Sequence, residues 1–161
     1  MNTAIIYYSM SGNCEMVAGK MAALLGADVI RIEPEKAYPD KGARKYIWGG
    51  KSAVMGETPR LKPYSFDASN YELIIFGFPV WASNVTPPIR TFIKENFSGI
   101  KGKHFAAFAC QSGNGAVKAF DKLKKLLEAD AFDAELVLID PKEKENPDTD
   151  RIIGEFCGKL K

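Results

Sequence analysis

Ile5-Ile6-Tyr7-Tyr8-Ser9-Met10-Ser11-Gly12-Asn13-Cys14 decides how the rest of the chain is read. An apolar strand passes into a loop of small polar residues and then into a helix, with Val17, Met21, Leu24 and Leu25 at helical spacing and Gly26 closing it. The first turn of a helix has four backbone N–H groups without intrahelical acceptors, and it carries the positive end of the helix dipole. A junction of this kind therefore binds phosphate. Ser9, Ser11, Gly12 and Asn13 are small enough to admit one. No Lys or Arg lies between Met1 and Val17, which predicts that an anion here is met by uncharged donors. That separates the loop from G-x-x-x-x-G-K-[ST], whose lysine reaches the terminal phosphates of a nucleotide.

Beyond this junction, strands and helices alternate. Residues 3 to 8 are the first strand and Val29 to Ile32 the second. Leu73 to Phe78 is continuously apolar, as a central strand covered on both faces must be. Thr86 to Phe97 reads as a helix that tolerates Pro87 and Pro88 in its first turn. His104 to Cys110 is a fourth strand, followed by a helix bearing Val117, Phe120, Leu123, Leu126 and Leu127. Leu136 to Ile139 is the fifth, and a last helix after Pro147 sets Ile152, Ile153, Phe156, Cys157 and Leu160 on one side. The βαβα order predicts a single α/β domain over residues 1–161, a three-layer sandwich with helices on both faces of a five-stranded parallel sheet and right-handed crossovers. Pro34 to Asn70 departs from this plan and is too long for a plain connection. Ala43 to Met55 suggests a helix interrupted at Gly49-Gly50, with the rest an extended strap rich in proline and aromatic residues.

Composition narrows the function. A chain of 161 residues buries a full core without disulfides or metals. A formal net charge of +2 gives no general argument for nucleic-acid or membrane binding. Lys41, Arg44, Lys45 and Lys51 nonetheless cluster without an intervening acid, and Asp140 to Asp150 mixes both signs. Cys14, Cys110 and Cys157 form no C-x-x-C pair, which argues against a disulfide framework or a zinc site. Without a secretory signal or a long apolar run, the expectation is a cytoplasmic protein, monomer or weak homodimer.

In a sheet of order 2-1-3-4-5, ligands gather at the carboxyl ends of the strands, where the order reverses. Three loops meet there: Ser9 to Cys14, Pro79 to Asn84 and Gln111 to Gly115. A ligand suited to them has a phosphate at one end and a flat apolar body at the other. Trp81 offers the flat wall, and the backbone of Gln111, Ser112, Gly113, Asn114 and Gly115 can approach a ring edge closely. Cys110 ends a strand beside the site and reads as a small buried hydrophobe. Cys14, at a helix N-terminus, is the better candidate for a reactive thiol. His104 begins a strand at the far end. Tyr46 and Trp48 read as a small core of their own.

Tyr8-Ser9-Met10-Ser11-Gly12-Asn13-Cys14 resembles the phosphate loop of flavodoxins, and Gly77-Phe78-Pro79-Val80-Trp81-Ala82 resembles their second, flavin-facing loop. The whole chain is similar to a small flavodoxin family protein, a fold known for the order 2-1-3-4-5 with FMN at the switch. Lys45-Tyr46-Ile47-Trp48-Gly49-Gly50-Lys51 and Pro59-Arg60-Leu61-Lys62-Pro63 resemble a subgroup from anaerobic microbes. The resemblance implies that Ser9, Met10, Ser11, Gly12, Asn13 and Cys14 hold the FMN phosphate. Pro79, Val80, Trp81, Ala82, Ser83 and Asn84 would flank the isoalloxazine, with Gln111 to Gly115 at its other edge. The chain departs from the family pattern at Met10 and Cys14, where hydroxyl residues are common, and in a second loop without glycine. Its pI near 8.3 contrasts with acidic carriers, so its partner need not be a basic one.

Two functions follow from the resemblance. As a carrier, the protein shuttles electrons between larger redox partners through transient contacts and acts on no substrate. As a reductase, it takes hydride from NAD(P)H for a quinone, flavin or other small acceptor. The absence of a second nucleotide motif favours the carrier. A receiver domain of the same topology is excluded, because Tyr7-Tyr8-Ser9 stands where acidic residues would cluster.

Overall fold

In the computed structural model, which describes residues 1–39, 51–144 and 146–161, five parallel strands form one sheet. They are β1 (Thr3–Tyr7), β2 (Asp28–Arg31), β3 (Leu73–Pro79), β4 (His104–Gln111) and β5 (Glu135–Ile139), in the order β2-β1-β3-β4-β5. Among the described residues, the helices that cover the sheet are α1 (Asn13–Leu25), α2 (Pro87–Ile100), α3 (Ala116–Leu127) and α4 (Thr149–Gly158). β3 shows why the sheet sits in the middle. Its side chains alternate between two buried layers, Ile74, Phe76 and Phe78 facing α2 and α3 while Leu73 and Ile75 face α1 and α4. Burying one such side chain contributes roughly 1.5–3 kcal/mol.

Register fixes the functional edge. Tyr7 pairs with Gly77, and Pro79 pairs with Cys110. Since all the strands are parallel, the loops after β1, β3 and β4 emerge side by side. Gly77 allows this close fit: a Cβ there would lie 2.0 Å from Phe108 Cζ, so the Phe108 ring crosses β3 where only a hydrogen stands.

The helical stripes differ from their sequence reading at two positions. Leu24 is 46% exposed and Val117 is 69% exposed. The buried face of α3 runs through Ala116, Ala119, Phe120, Leu123 and Leu127, and Val117 is turned ~100° from that stripe at 3.6 residues per turn. The strap, by contrast, follows expectation. Leu61 bridges Pro34 antiparallel, Thr91 Oγ1 donates to the Pro59 carbonyl at 2.8 Å, and Phe66 packs edge-on against Phe92 of α2. Residues 51–54 are helical. Met55, the expected last residue, is already in a turn, while residues 43–50 of the expected helix, the cations Lys41, Arg44 and Lys45, and the pair Tyr46 and Trp48 lie outside the described residues. No helix among the described residues is long and apolar enough to cross a membrane.

Candidate functional site

Gly12 ends the first loop with φ +96° and serves as the N-cap of α1. Its N–H donates to Ser9 Oγ at 3.2 Å, which draws the loop into a tight curl. The N–H groups of Ser11, Asn13, Cys14 and Glu15 find no acceptor among the described residues. They are the orphan donors that a helix start presents to an anion. The Asn13 side chain is engaged elsewhere, since its Oδ1 accepts the Lys142 N–H at 2.9 Å and so ties the loop after β5 to the start of α1.

That tie brings in a cation which reading along the chain misses. Lys142 Nζ lies 2.8 Å from where a Cβ on Gly12 would stand, so the ammonium overhangs the loop. No carboxylate among the described residues pairs with it. The expectation that an anion here meets only uncharged donors is therefore corrected. The loop gains a positive charge from a residue 129 positions beyond Asn13. Arg31 also reaches the loop, donating from Nη2 to the Ser9 carbonyl at 3.1 Å, but Glu15 and Glu33 already offset its charge.

The second loop turns at Trp81–Asn84, where the Asn84 N–H donates to the Trp81 carbonyl at 2.9 Å. Ala82 and Ser83 both take positive φ, 50° and 58°. Glycine or asparagine usually fills such a turn, and each L-residue there costs roughly 1–2 kcal/mol. Neighbours hold the strained form. Asn84 Nδ2 donates to the Ala82 carbonyl at 2.6 Å, and Lys122 Nζ donates to Asn84 Oδ1 at 2.7 Å. Ser83 Oγ sits 2.6 Å from where a Cβ on Gly115 would stand, which interlocks the second and third loops.

In the third loop, Gln111 Oε1 accepts from the Ala116 N–H at 3.1 Å and caps α3. Ser112 Oγ donates to Asp140 Oδ1 at 2.8 Å, and the Asp140 N–H donates to the Gln111 carbonyl at 3.1 Å. Lys144 Nζ approaches the same carboxylate at 3.4 Å. Asp140 thus clamps the loop from β5.

Together the loops enclose a cavity of about 520 Å³, within the range that holds small ligands and cofactors. Met10, Ser11, Asn13, Pro79, Val80, Trp81, Ala82, Gln111, Ser112, Gly113 and Asn114 line it, so eleven of the seventeen residues named from the sequence converge. Ser9, Gly12, Cys14, Ser83, Asn84 and Gly115 stand behind the lining, shaping it through the contacts above. Cys110, Asp140 and Glu143 join the lining. Trp81 is held edge-on by Tyr8, with ring centroids 5.7 Å apart, and by Tyr38 at 5.2 Å. The indole is thereby fixed in orientation rather than left to swing.

The Cys14 thiol is not the reactive group that its place at a helix start suggests. It points inward against Cys110, and burial, reinforced by that neighbouring thiol, pushes it well above its ordinary range. Desolvation outweighs the helix dipole here. All three cysteines are buried. Under native, mildly alkaline conditions a thiol reagent should modify none of them at an appreciable rate, and denaturant should release all three; prompt labelling of Cys14 in the folded protein would contradict the placement. His104 is exposed at the opposite sheet end, 2.9 Å from Asp133.

The fold has known relatives. The family model described as Flavodoxin matches residues 2–145. A flavoprotein of Lactobacillus acidophilus NCFM, solved in complex with FMN, superposes with a TM-score of 0.71 at 21% identity, covering 88% of this chain and 95% of that one. A Bacteroides uniformis protein provisionally described as a flavoprotein gives 0.77 at 19% identity over 98% of this chain and 97% of the other. Two-electron reduced flavodoxin of Megasphaera elsdenii gives 0.58 at 18% identity, with 98% of each chain covered. These likenesses are of fold. No curated protein sequence matches the chain.

Proposed function

The chain belongs to the flavodoxin family, and from that premise we propose that it binds FMN in the three-loop cavity and passes electrons between redox partners. One observation carries the reading: first-turn residues with unpartnered N–H groups, Ser11 and Asn13, and a fixed indole border the same cavity, and a lysine with no counter-ion among the described residues overhangs Gly12 in the loop between them. The residues present fit the cofactor. The N–H groups of Ser11, Asn13 and Cys14, the Ser11 hydroxyl and the Lys142 ammonium would take the phosphate; Cys14 contributes backbone alone. Trp81, Val80 and Pro79 would wall the ring, and the backbone around Gly113 would meet its polar edge.

When bound, FMN supplies the redox chemistry. The chain orients it, excludes water from one face and sets the local field. Asp140 and Glu143 place carboxylates beside the third loop. They disfavour gain of negative charge nearby, which favours a low potential. Cys110, Asp140 and Glu143 are the titratable side chains lining the cavity among the described residues. Cys110 is buried, and Asp140 is engaged by Ser112 and Lys144. The sequence carries no second nucleotide motif that would hold NAD(P)H, which favours the carrier over the reductase.

Anaerobic addition of NADH and then NADPH to the FMN-loaded protein tests this reading. A carrier keeps its oxidised flavin spectrum until dithionite is added, whereas prompt bleaching by either nucleotide would mean a reductase. Separately, Trp81→Ala should weaken FMN binding by about 1 kcal/mol or more, roughly fivefold. An unchanged dissociation constant would remove the indole from the ring site.

A further inference from the structure

A second hollow, of about 400 Å³, opens between α2 and α3 beside Asn84. Its lining is Val54, Met55, Gly56, Asn84, Arg90, Lys122, Lys125 and Leu126. Among the described residues, three cations and no carboxylate therefore face one small space.

Arg90 is the unusual member. It is half-buried, and no ion pair engages it among the described residues. Its Nε is buried without a hydrogen-bond partner among them. The guanidinium lies against Gly56, 3.8 Å from where a Cβ on that glycine would stand. A buried polar atom without a partner is costly, and a desolvated cation costs more unless an anion meets it. Burial accordingly pulls the Arg90 guanidinium below its ordinary value. Lys122 spends its ammonium on the neutral Asn84 amide oxygen, and no carboxylate pairs with Lys125 among the described residues. The planar fork of an arginine flanked by two lysines matches the oxygen geometry of a phosphate group. Leu126, with the exposed Val54 and Met55, adds an apolar wall beside the charges.

We propose that this hollow is a second anion site, built for the phosphate groups of a small organic phosphate and distinct from the loop at the start of α1. The site is connected to the first. Lys122 holds Asn84, and Asn84 holds the strained turn that carries Trp81. An anion that draws Lys122 away from Asn84 loosens that turn, so occupancy here shifts the indole environment. The inference stands apart from FMN binding, because it uses none of the residues that would take the FMN phosphate.

Calorimetric titration of the FMN-saturated protein with inorganic pyrophosphate, and in a parallel arm with ADP, tests the proposal. FMN saturation keeps the first loop filled; the Lys142→Met apoprotein serves the same purpose if FMN does not bind. Saturable one-to-one binding is expected, with a change in Trp fluorescence. Arg90→Met should weaken it at least tenfold while leaving FMN affinity unchanged. Lys125→Glu, at an exposed position, supplies a second variant with the same expected loss should Arg90→Met fold poorly. Tighter binding of ADP than of pyrophosphate assigns the apolar wall to a nucleoside, and equal binding assigns the site to phosphate groups alone; both support it. No pyrophosphate binding, the result expected if the cations serve an acidic protein instead, overturns the proposal. Binding that neither variant weakens overturns it equally.

Discussion

Gly77→Ala is expected to destabilise the protein by about 3 kcal/mol, at the upper end of what overpacking a core position costs. The new Cβ would stand 2.0 to 2.6 Å from three atoms of the Phe108 ring. Phe108 is fully buried among Ile5, Tyr7, Ile75 and Leu136, so the ring cannot swing aside without displacing that layer. The strain would fall beside β1, since the Gly77 carbonyl accepts the Tyr8 N–H at 3.0 Å just before the first loop. FMN binding should therefore weaken along with stability. Urea unfolding measures the first effect, and the cause is checked by adding Phe108→Leu, which makes room for the methyl. The double variant should recover a large part of the loss. A Gly77→Ala protein within about 0.5 kcal/mol of the parent, the range of ordinary surface changes, would show that the ring does not fill this space.

The second large effect is expected at Lys142. If its ammonium meets the FMN phosphate over Gly12, the contact is a charge-assisted hydrogen bond, worth about 1.5–3 kcal/mol. Lys142 is exposed and partly screened, so the lower end applies and Lys142→Met should raise the FMN dissociation constant about tenfold. Riboflavin, which has the ring but no phosphate, provides the control. Its affinity should not change in the variant, and the salt dependence of FMN binding should become shallower. Equal losses for FMN and riboflavin would mean that Lys142 supports the loop rather than the phosphate, and no loss for either would remove it from the site.

How far the sequence can be read is clearest at these two positions. Four of the five strands are legible because they are short, largely apolar and bounded by turn residues; β2 carries Asp28 and Arg31 and is marked only by Val29 and Ile30 within it and Ile32 just beyond. Alternation with helices makes the sheet parallel, whereas the order 2-1-3-4-5 is what the resemblance to flavodoxins implies; the Ser9 to Cys14 loop can be placed from local composition alone. Lys142 cannot. It reaches Gly12 only because the loop after β5 folds back onto α1, and the tie that brings it there is one hydrogen bond between its own N–H and the Asn13 side chain. The mixed charges from Asp140 onward are the available signal, and they read equally well as solvated surface. Asp140 and Glu143 enter the cavity lining by the same route.

Cys14 shows the opposite failure. A local rule, the lowered pKa of a thiol at a helix start, is overridden by burial against Cys110, a contact between α1 and β4 that spacing along the chain does not reveal. The turn at Ala82 and Ser83 is hidden for a related reason. Neither residue prefers positive φ, and the conformation is held by Asn84, Lys122 and Gly115, which belong to other elements or to the far side of the loop. Local propensity and tertiary demand disagree here, as they often do where a loop is shaped for a ligand.

The most direct test of FMN binding is fluorescence titration of flavin-free protein with FMN, with riboflavin measured alongside. The expected result is stoichiometric quenching of the flavin emission at one FMN per chain, with riboflavin bound more weakly because it forgoes the first-turn N–H groups and Lys142. Unquenched FMN emission at saturating protein would contradict the assignment of the three-loop cavity to this cofactor.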